Sequence, residues 1–183
     1  DLNKYDLVIV SDYGHGMISK KSAEIICKKS KFLAINAQVN ASNIGFHTIR
    51  NYKNFNTLII NEKEIRHEMR DKISKTEILM NKLSKQKNIK NIIVTMGASG
   101  SVLYCKKEKK FYYADAYAHK TVDKIGAGDT MLSLIGPSIK NNIDKDITLL
   151  IGSLGAAQSV ETIGNKETVN KLKILKTLES ILK

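Results

Sequence analysis

Hydrophobic positions fall into short continuous runs separated by amphipathic stretches. Leu7-Val8-Ile9-Val10 is apolar throughout and enters Ser11-Asp12-Tyr13-Gly14-His15-Gly16. An apolar run that stops at a glycine-containing string reads as a buried strand feeding a loop. Residues 19–30 carry Ala23, Ile26 and Cys27 on one face and lysines on the other, the pattern of an amphipathic helix. A second strand is expected at 32–35, followed by a polar stretch over 36–43 and a mixed segment to Asn54. Thr57-Leu58-Ile59-Ile60 predicts a third strand, running into Asn61-Glu62-Lys63-Glu64 and a helix to about Arg70. A further helix is expected at about 76–87 and a fourth strand at 91–95. Residues 102–105 and 110–113 form a predicted hairpin, bridged by the charged string Lys106-Lys107-Glu108-Lys109. The remainder reads as helices at about 128–141, 144–160 and 166–182.

Strands alternating with helices predict an α/β fold with a mostly parallel sheet, and right-handed crossovers place helices on its faces. Ligands in such sheets collect at the carboxyl ends of the strands. The polar and glycine-rich strings follow strands one, three and four, at that end. Pro137, the one proline, lies inside a helical run and is expected to kink or end it. Leu172, Leu175, Leu178, Ile181 and Leu182 recur at near-helical spacing and are expected to dock the last helix on the core. No internal repeat, low-complexity linker or second domain is visible.

Composition changes this picture little. The 183 residues suffice for one domain, and 42% hydrophobic with 26% charged residues is ordinary for a globular chain. No apolar run is long enough to span a membrane, and no signal peptide precedes the first strand, so a cytoplasmic protein without a membrane partner is expected. Cys27 and Cys105 lie far apart, match no metal spacing and read as reduced thiols. The formal charge of +12 raises the prospect of a nucleic-acid partner. The lysines are scattered, though, and no aromatic-basic platform for stacked bases occurs, so no nucleic-acid partner is expected.

The densest chemistry lies in Thr121-Val122-Asp123-Lys124-Ile125-Gly126-Ala127-Gly128-Asp129-Thr130. Small residues directly precede an acid, and a helical pattern follows. A helix opening there leaves its first amides without intrahelical partners, and its dipole adds positive potential to the same spot. Glycine lets a phosphate approach the backbone. A carboxylate at such a lip makes sense if it accepts a proton from a hydroxyl that attacks the phosphate. An Asp serving as an ordinary N-cap is the plainer alternative.

Asp-x-x-Gly-Ala-Gly-Asp-Thr closely resembles the C-terminal signature of the PfkB carbohydrate kinases, the ribokinase-like family. The resemblance implies that Asp129 is the catalytic base and that Gly126, Ala127 and Gly128 form the anion hole. Asn61 and Glu64 match the family's Asn-x-x-Glu, which organises Mg²⁺, water and phosphate. On spacing alone the same pair reads as an Asn N-cap with a capping-box Glu, and the two readings are compatible. Thr95-Met96-Gly97-Ala98-Ser99-Gly100 resembles the Thr-x-Gly-x-x-Gly turn that lines the ATP phosphates, which implicates Thr95, Gly97 and Gly100. A tight turn between strands is its bland alternative. Asp12-Tyr13-Gly14-His15-Gly16 resembles the sugar-side Asp-Tyr-x-Lys-Gly loop of the kinase half of bifunctional ADP-heptose synthases, with His15 where Lys is usual. By the same resemblance Asp123, with Ile125 and Gly164, holds a monovalent cation such as K⁺. Ala156-Ala157-Gln158-Ser159-Val160 resembles the helix beside the adenine and marks Gln158, although core packing explains most of that helix.

The chain departs from the pattern in three places. The heptose kinases carry Asp-Pro-Lys after the second strand, where this chain reads Ile35-Asn36-Ala37-Gln38-Val39-Asn40. That leaves Asn36 as the substrate-side residue, with Asp12 and His15. Met131 replaces the usual Phe. The resemblance covers nearly the whole chain but only the C-terminal part of the family's length, so the chain reads as the ATP-binding and catalytic part of a ribokinase-like three-layer sandwich. The N-terminal strands and lid of the family have no counterpart in it. An exposed sheet edge and self-association, as a homo-oligomer of unspecified size, are expected.

The leading expectation is ATP-dependent, Mg²⁺-assisted phosphoryl transfer to a hydroxyl of a sugar or sugar phosphate, heptose phosphate being one candidate. The piece by itself is expected to be inactive. The alternative is a catalytically inactive nucleotide-binding or interaction module derived from the same fold.

Overall fold

The computed structural model describes residues 1–38, 49–118, 120–163 and 168–181. Six strands form one sheet: β1 (Val8–Asp12), β2 (Leu33–Ala37), β3 (Thr57–Asn61), β4 (Asn91–Thr95), β5 (Ser101–Cys105) and β6 (Lys110–Ala114), paired in chain order. The first four run parallel, and β5 and β6 pair antiparallel beyond β4. The Val-, Ile- and Leu-rich strands are apolar on both faces because helices cover both.

Residue parity decides which face each side chain meets, since alternate residues point to opposite sides. Val10, Ile35, Leu58, Ile60 and Val94 pack with α1 (Lys20–Lys29), α2 (Glu62–Met69) and α3 (Thr76–Lys87) in one core. Ala34, Ile59, Ile93 and Leu103 pack with α4 (Ala127–Lys140) and α5 (Lys145–Val160) in the other. The last helix, α6 (Lys171–Ile181), lies against α5. The result is the expected three-layer α/β/α arrangement.

Two element-level expectations are modified. Pro137 does not stop α4, which continues to Lys140 before Asn141 caps it. Ser138 and Asn141 donate to the carbonyls of Leu134 and Pro137, so the ring sits in a last turn held by side-chain bonds. α6 starts at Lys171, later than the expected boundary of about 166, and Asn170 accepts from the amides of Leu172 and Lys173 and so caps it. Its leucine stripe docks only in part. Leu172 is 68% exposed, and no described residue of α6 is fully buried.

Candidate active site

α4 opens at the carboxyl ends of β1 and β2. Its N-cap is Gly126, at φ 84°, a left-handed conformation that glycine adopts without strain. Glycine offers no capping side chain, and among the described residues no acceptor is recorded for the amides of Gly126, Ala127 or Gly128. The first helical bond runs from the Thr130 amide to the Gly126 carbonyl at 2.8 Å. Unsatisfied amides and a helix dipole at one point are the components from which an anion-binding terminus is built.

Asp129 is half-buried and sits inside the first turn, so it is not the N-cap and the plain capping reading does not apply. Its Oδ1 accepts from Ser11 Oγ at 2.5 Å and its Oδ2 from the Tyr13 hydroxyl at 2.7 Å. That bond raises the Tyr13 pKa, with burial adding to it, so the phenol remains a donor near neutral pH. Ser11 and Tyr13 are functional candidates that the sequence reading passed over. Parity was the available signal: two hydroxyl residues stand two apart at the end of a strand, on the face opposite Val10.

Asn36 pairs in register with Ser11 and faces α4. It is buried, and its Nδ2 would lie 2.9 Å from a Cβ placed on Gly128. Asn36, Gly128, Asp129, Ser11 and Tyr13 therefore form one cluster. Asp12 points the other way. Its Oδ1 accepts from the Gly14 amide at 2.9 Å, and its Oδ2 accepts from Tyr52 at 2.5 Å. Burial and Asp12 together push the Tyr52 phenol pKa strongly upward. Asp12 thus closes the loop after β1 and is not brought to Asp129, while His15 stands exposed in that loop.

Farther along the same sheet edge, Asn61 and Thr95 are register partners at the ends of β3 and β4. Asn61 and Glu64 form a complete capping box, each side chain accepting the other's amide at 2.9 Å. Glu64 is 7% exposed, and among the described residues no group of three or more His, Cys, Asp or Glu gathers into a metal cluster. A lone carboxylate is compatible with Mg²⁺ that keeps its waters and uses substrate phosphates.

Gly97 and Gly100 hold the turn between β4 and β5 at φ 60° and 80°. A Cβ on Gly100 would meet the Ala114 carbonyl at 2.1 Å, so this glycine has a structural reason of its own. Asp123 Oδ1 accepts from the Ile125 amide at 3.0 Å. Gly164 lies outside the described residues, as do Val39 and Asn40.

Gln158 grips the backbone of Asn170, donating to its carbonyl at 3.2 Å and accepting from its amide at 2.9 Å. It lines a cavity of about 230 Å³ with Tyr117, Leu154, Ala157, Glu161, Lys173 and Thr177. On the same helix, Gly155 packs against Thr130, the neighbour of Asp129. One helix thus connects the cavity to the opening of α4. Among the described residues no helix is long and apolar enough to cross a membrane.

Comparison with known proteins places this architecture. The chain is 30% identical over 161 residues to the bifunctional protein HldE of Campylobacter concisus, covering 86% of this chain and 33% of the relative. The fold superposes on ribokinase from Arabidopsis thaliana, solved with ribose and ATP, with a TM-score of 0.74 at 18% identity, covering 97% of this chain and 57% of that one. Phosphofructokinase-2 from Escherichia coli, solved with potassium, gives a TM-score of 0.76 at 11% identity over 97% of this chain and 57% of that one. The chain therefore spans about a third of its curated relative's length. The family model for the pfkB family carbohydrate kinases matches residues 19–172, and the chain belongs to that family.

Proposed function

We propose that this chain is the nucleotide-binding and catalytic part of a carbohydrate kinase domain, and that the whole protein transfers the γ-phosphoryl of ATP to a hydroxyl of a sugar or sugar phosphate. One observation carries the reading. A carboxylate stands in the first turn of a helix whose leading amides find no acceptor among the described residues, at the carboxyl ends of parallel strands. Asp129 accepts the proton of the attacking hydroxyl. The amides of Gly126, Ala127 and Gly128 stabilise charge on the transferring phosphoryl. Glu64 would hold Mg²⁺, which would supply charge neutralisation among the phosphates.

Asn61, Thr95, Gly97 and Gly100 stand along the phosphate path. The cavity beside Gln158 is smaller than the roughly 300–1,000 Å³ of a whole-ligand cleft, so it suits one portion of the nucleotide, the base. Gln158 supports that cavity by holding the start of α6. Asp123 belongs to a K⁺ site. The acceptor side uses Asn36 and His15, with Asp12 shaping the loop. A neutral Asn36 in place of a carboxylate favours an acceptor other than heptose phosphate. ATP as donor and two free thiols agree with a cytoplasmic location.

The test is Asp129→Asn in the complete gene product. Acceptor-dependent ADP release across a sugar panel should fall roughly 10²–10⁴-fold, the scale of a lost general base. Full turnover in the variant removes Asp129 from the role. ATP binding without acceptor-dependent turnover in the wild type would favour the non-catalytic module.

A further inference from the structure

Both oxygens of the Asp129 carboxylate already accept a hydroxyl, from Ser11 and from Tyr13. On the reading above, that carboxylate must also meet the hydroxyl of the acceptor, which competes with these two donors for its oxygens. The two donors are not alike. Ser11 belongs to β1 and is fixed by its register with Asn36. Tyr13 lies past the end of the strand, in a loop with Gly14 and Gly16 at φ 70° and 85°. Tyr13 is 46% exposed.

We propose that Tyr13 sets the choice of alcohol over water: its phenol caps Asp129 Oδ2 when no acceptor is bound, and the acceptor hydroxyl displaces it. This rests on Asp129 being the base. In the side reaction that the cap prevents, a water oxygen bonds to the γ-phosphorus and the bond from that phosphorus to the ADP oxygen breaks. Asp129 takes the water's proton, and inorganic phosphate leaves with ADP. A water that takes the phenol's place on Oδ2 exchanges one hydrogen bond for another and gains nothing. An acceptor held by the rest of its contacts brings binding energy that a water lacks, and that energy displaces the phenol.

The experiment needs no knowledge of the acceptor. ADP release is measured on the complete gene product with Mg²⁺ and ATP alone. Tyr13→Phe keeps the ring and removes only the hydroxyl. It should raise acceptor-free hydrolysis roughly 10-fold, the scale of one net hydrogen bond. Asp129→Asn added to Tyr13→Phe should return hydrolysis to background. Hydrolysis in Tyr13→Phe at or below the wild-type rate overturns the proposal. That result leaves the kinase reading standing if Asp129→Asn still cuts acceptor-dependent transfer across the sugar panel. A double variant that keeps the raised hydrolysis removes Asp129 as the base and overturns both.

Discussion

Gly128 carries a tighter constraint than its place in a helix demands. A Cβ there would press on the Asn36 amide at 2.9 Å, and Asn36 is 4% exposed, with little room to turn away. Two terms of opposite sign compete in Gly128→Ala. Overpacking costs roughly 1–3 kcal/mol. Replacing a helical glycine gains about 1 kcal/mol. The first should win in the native background, and the second should win once Asn36→Ala has cleared the space. Chemical denaturation of the four proteins of that cycle checks the change of sign, which a purely local effect at Gly128 would not produce. The site was partly legible at this scale. Gly126-Ala127-Gly128-Asp129 marked a helix start, and Asn61 with Glu64 marked a capping box. The pairing of Asp129 with Ser11 and Tyr13 was not, because it spans most of the chain and exists only once α4 has packed over β1 and β2. The direction of Asp12 was open to the same parity argument, since Asp12 shares the face of Val10.

At the scale of elements, the turn between α2 and α3 offers a pH handle. Asp71 accepts from the Ser74 amide, from the Ser74 hydroxyl and from the Ile73 amide. Those bonds, Ser74's first, pull its pKa from an ordinary 3.8 to about 2. A carboxyl whose folded pKa is depressed stabilises the fold above its unfolded value and loses that contribution as pH falls through the folded one. The penalty of Asp71→Ala should therefore be full at neutral pH, shrink from about pH 4 and disappear near pH 2. Thermal melts of wild type and variant across that range check it, and a penalty independent of pH would assign the effect to packing. The strands and most helices were legible because their apolar runs have the right lengths and glycine-rich ends. The start of α6 was not legible to within a turn, since the leucine stripe begins only at Leu172 and the boundary is set by the Asn170 cap. Pro137 lies inside α4, which runs on three residues to Lys140, within one residue of the end its apolar pattern predicts.

For the whole molecule, the sheet order leaves β1 at one edge and β6 at the other. β6 is blunted by Lys110 at its start and by the neighbouring Lys109. β1 reads Val-Ile-Val-Ser-Asp with no lysine or proline, and Tyr5 and Ile9 are exposed beside it. Such an edge invites pairing. The amide of Val8 donates to the Phe32 carbonyl and the carbonyl of Asp12 accepts from the Gln38 amide, so the even-numbered residues face β2. The amides of Ile9 and Ser11 consequently face outward. The 183-residue chain expressed by itself should self-associate with rising concentration. Ile9→Pro removes an outward donor without touching the ladder and should shift the distribution toward monomer. Val10→Pro removes a donor that faces β2 and should unfold the edge instead. Sedimentation velocity with circular dichroism separates the two, and an unchanged oligomer distribution in folded Ile9→Pro would place the contact elsewhere, with the exposed leucines of α6 as the next surface to examine.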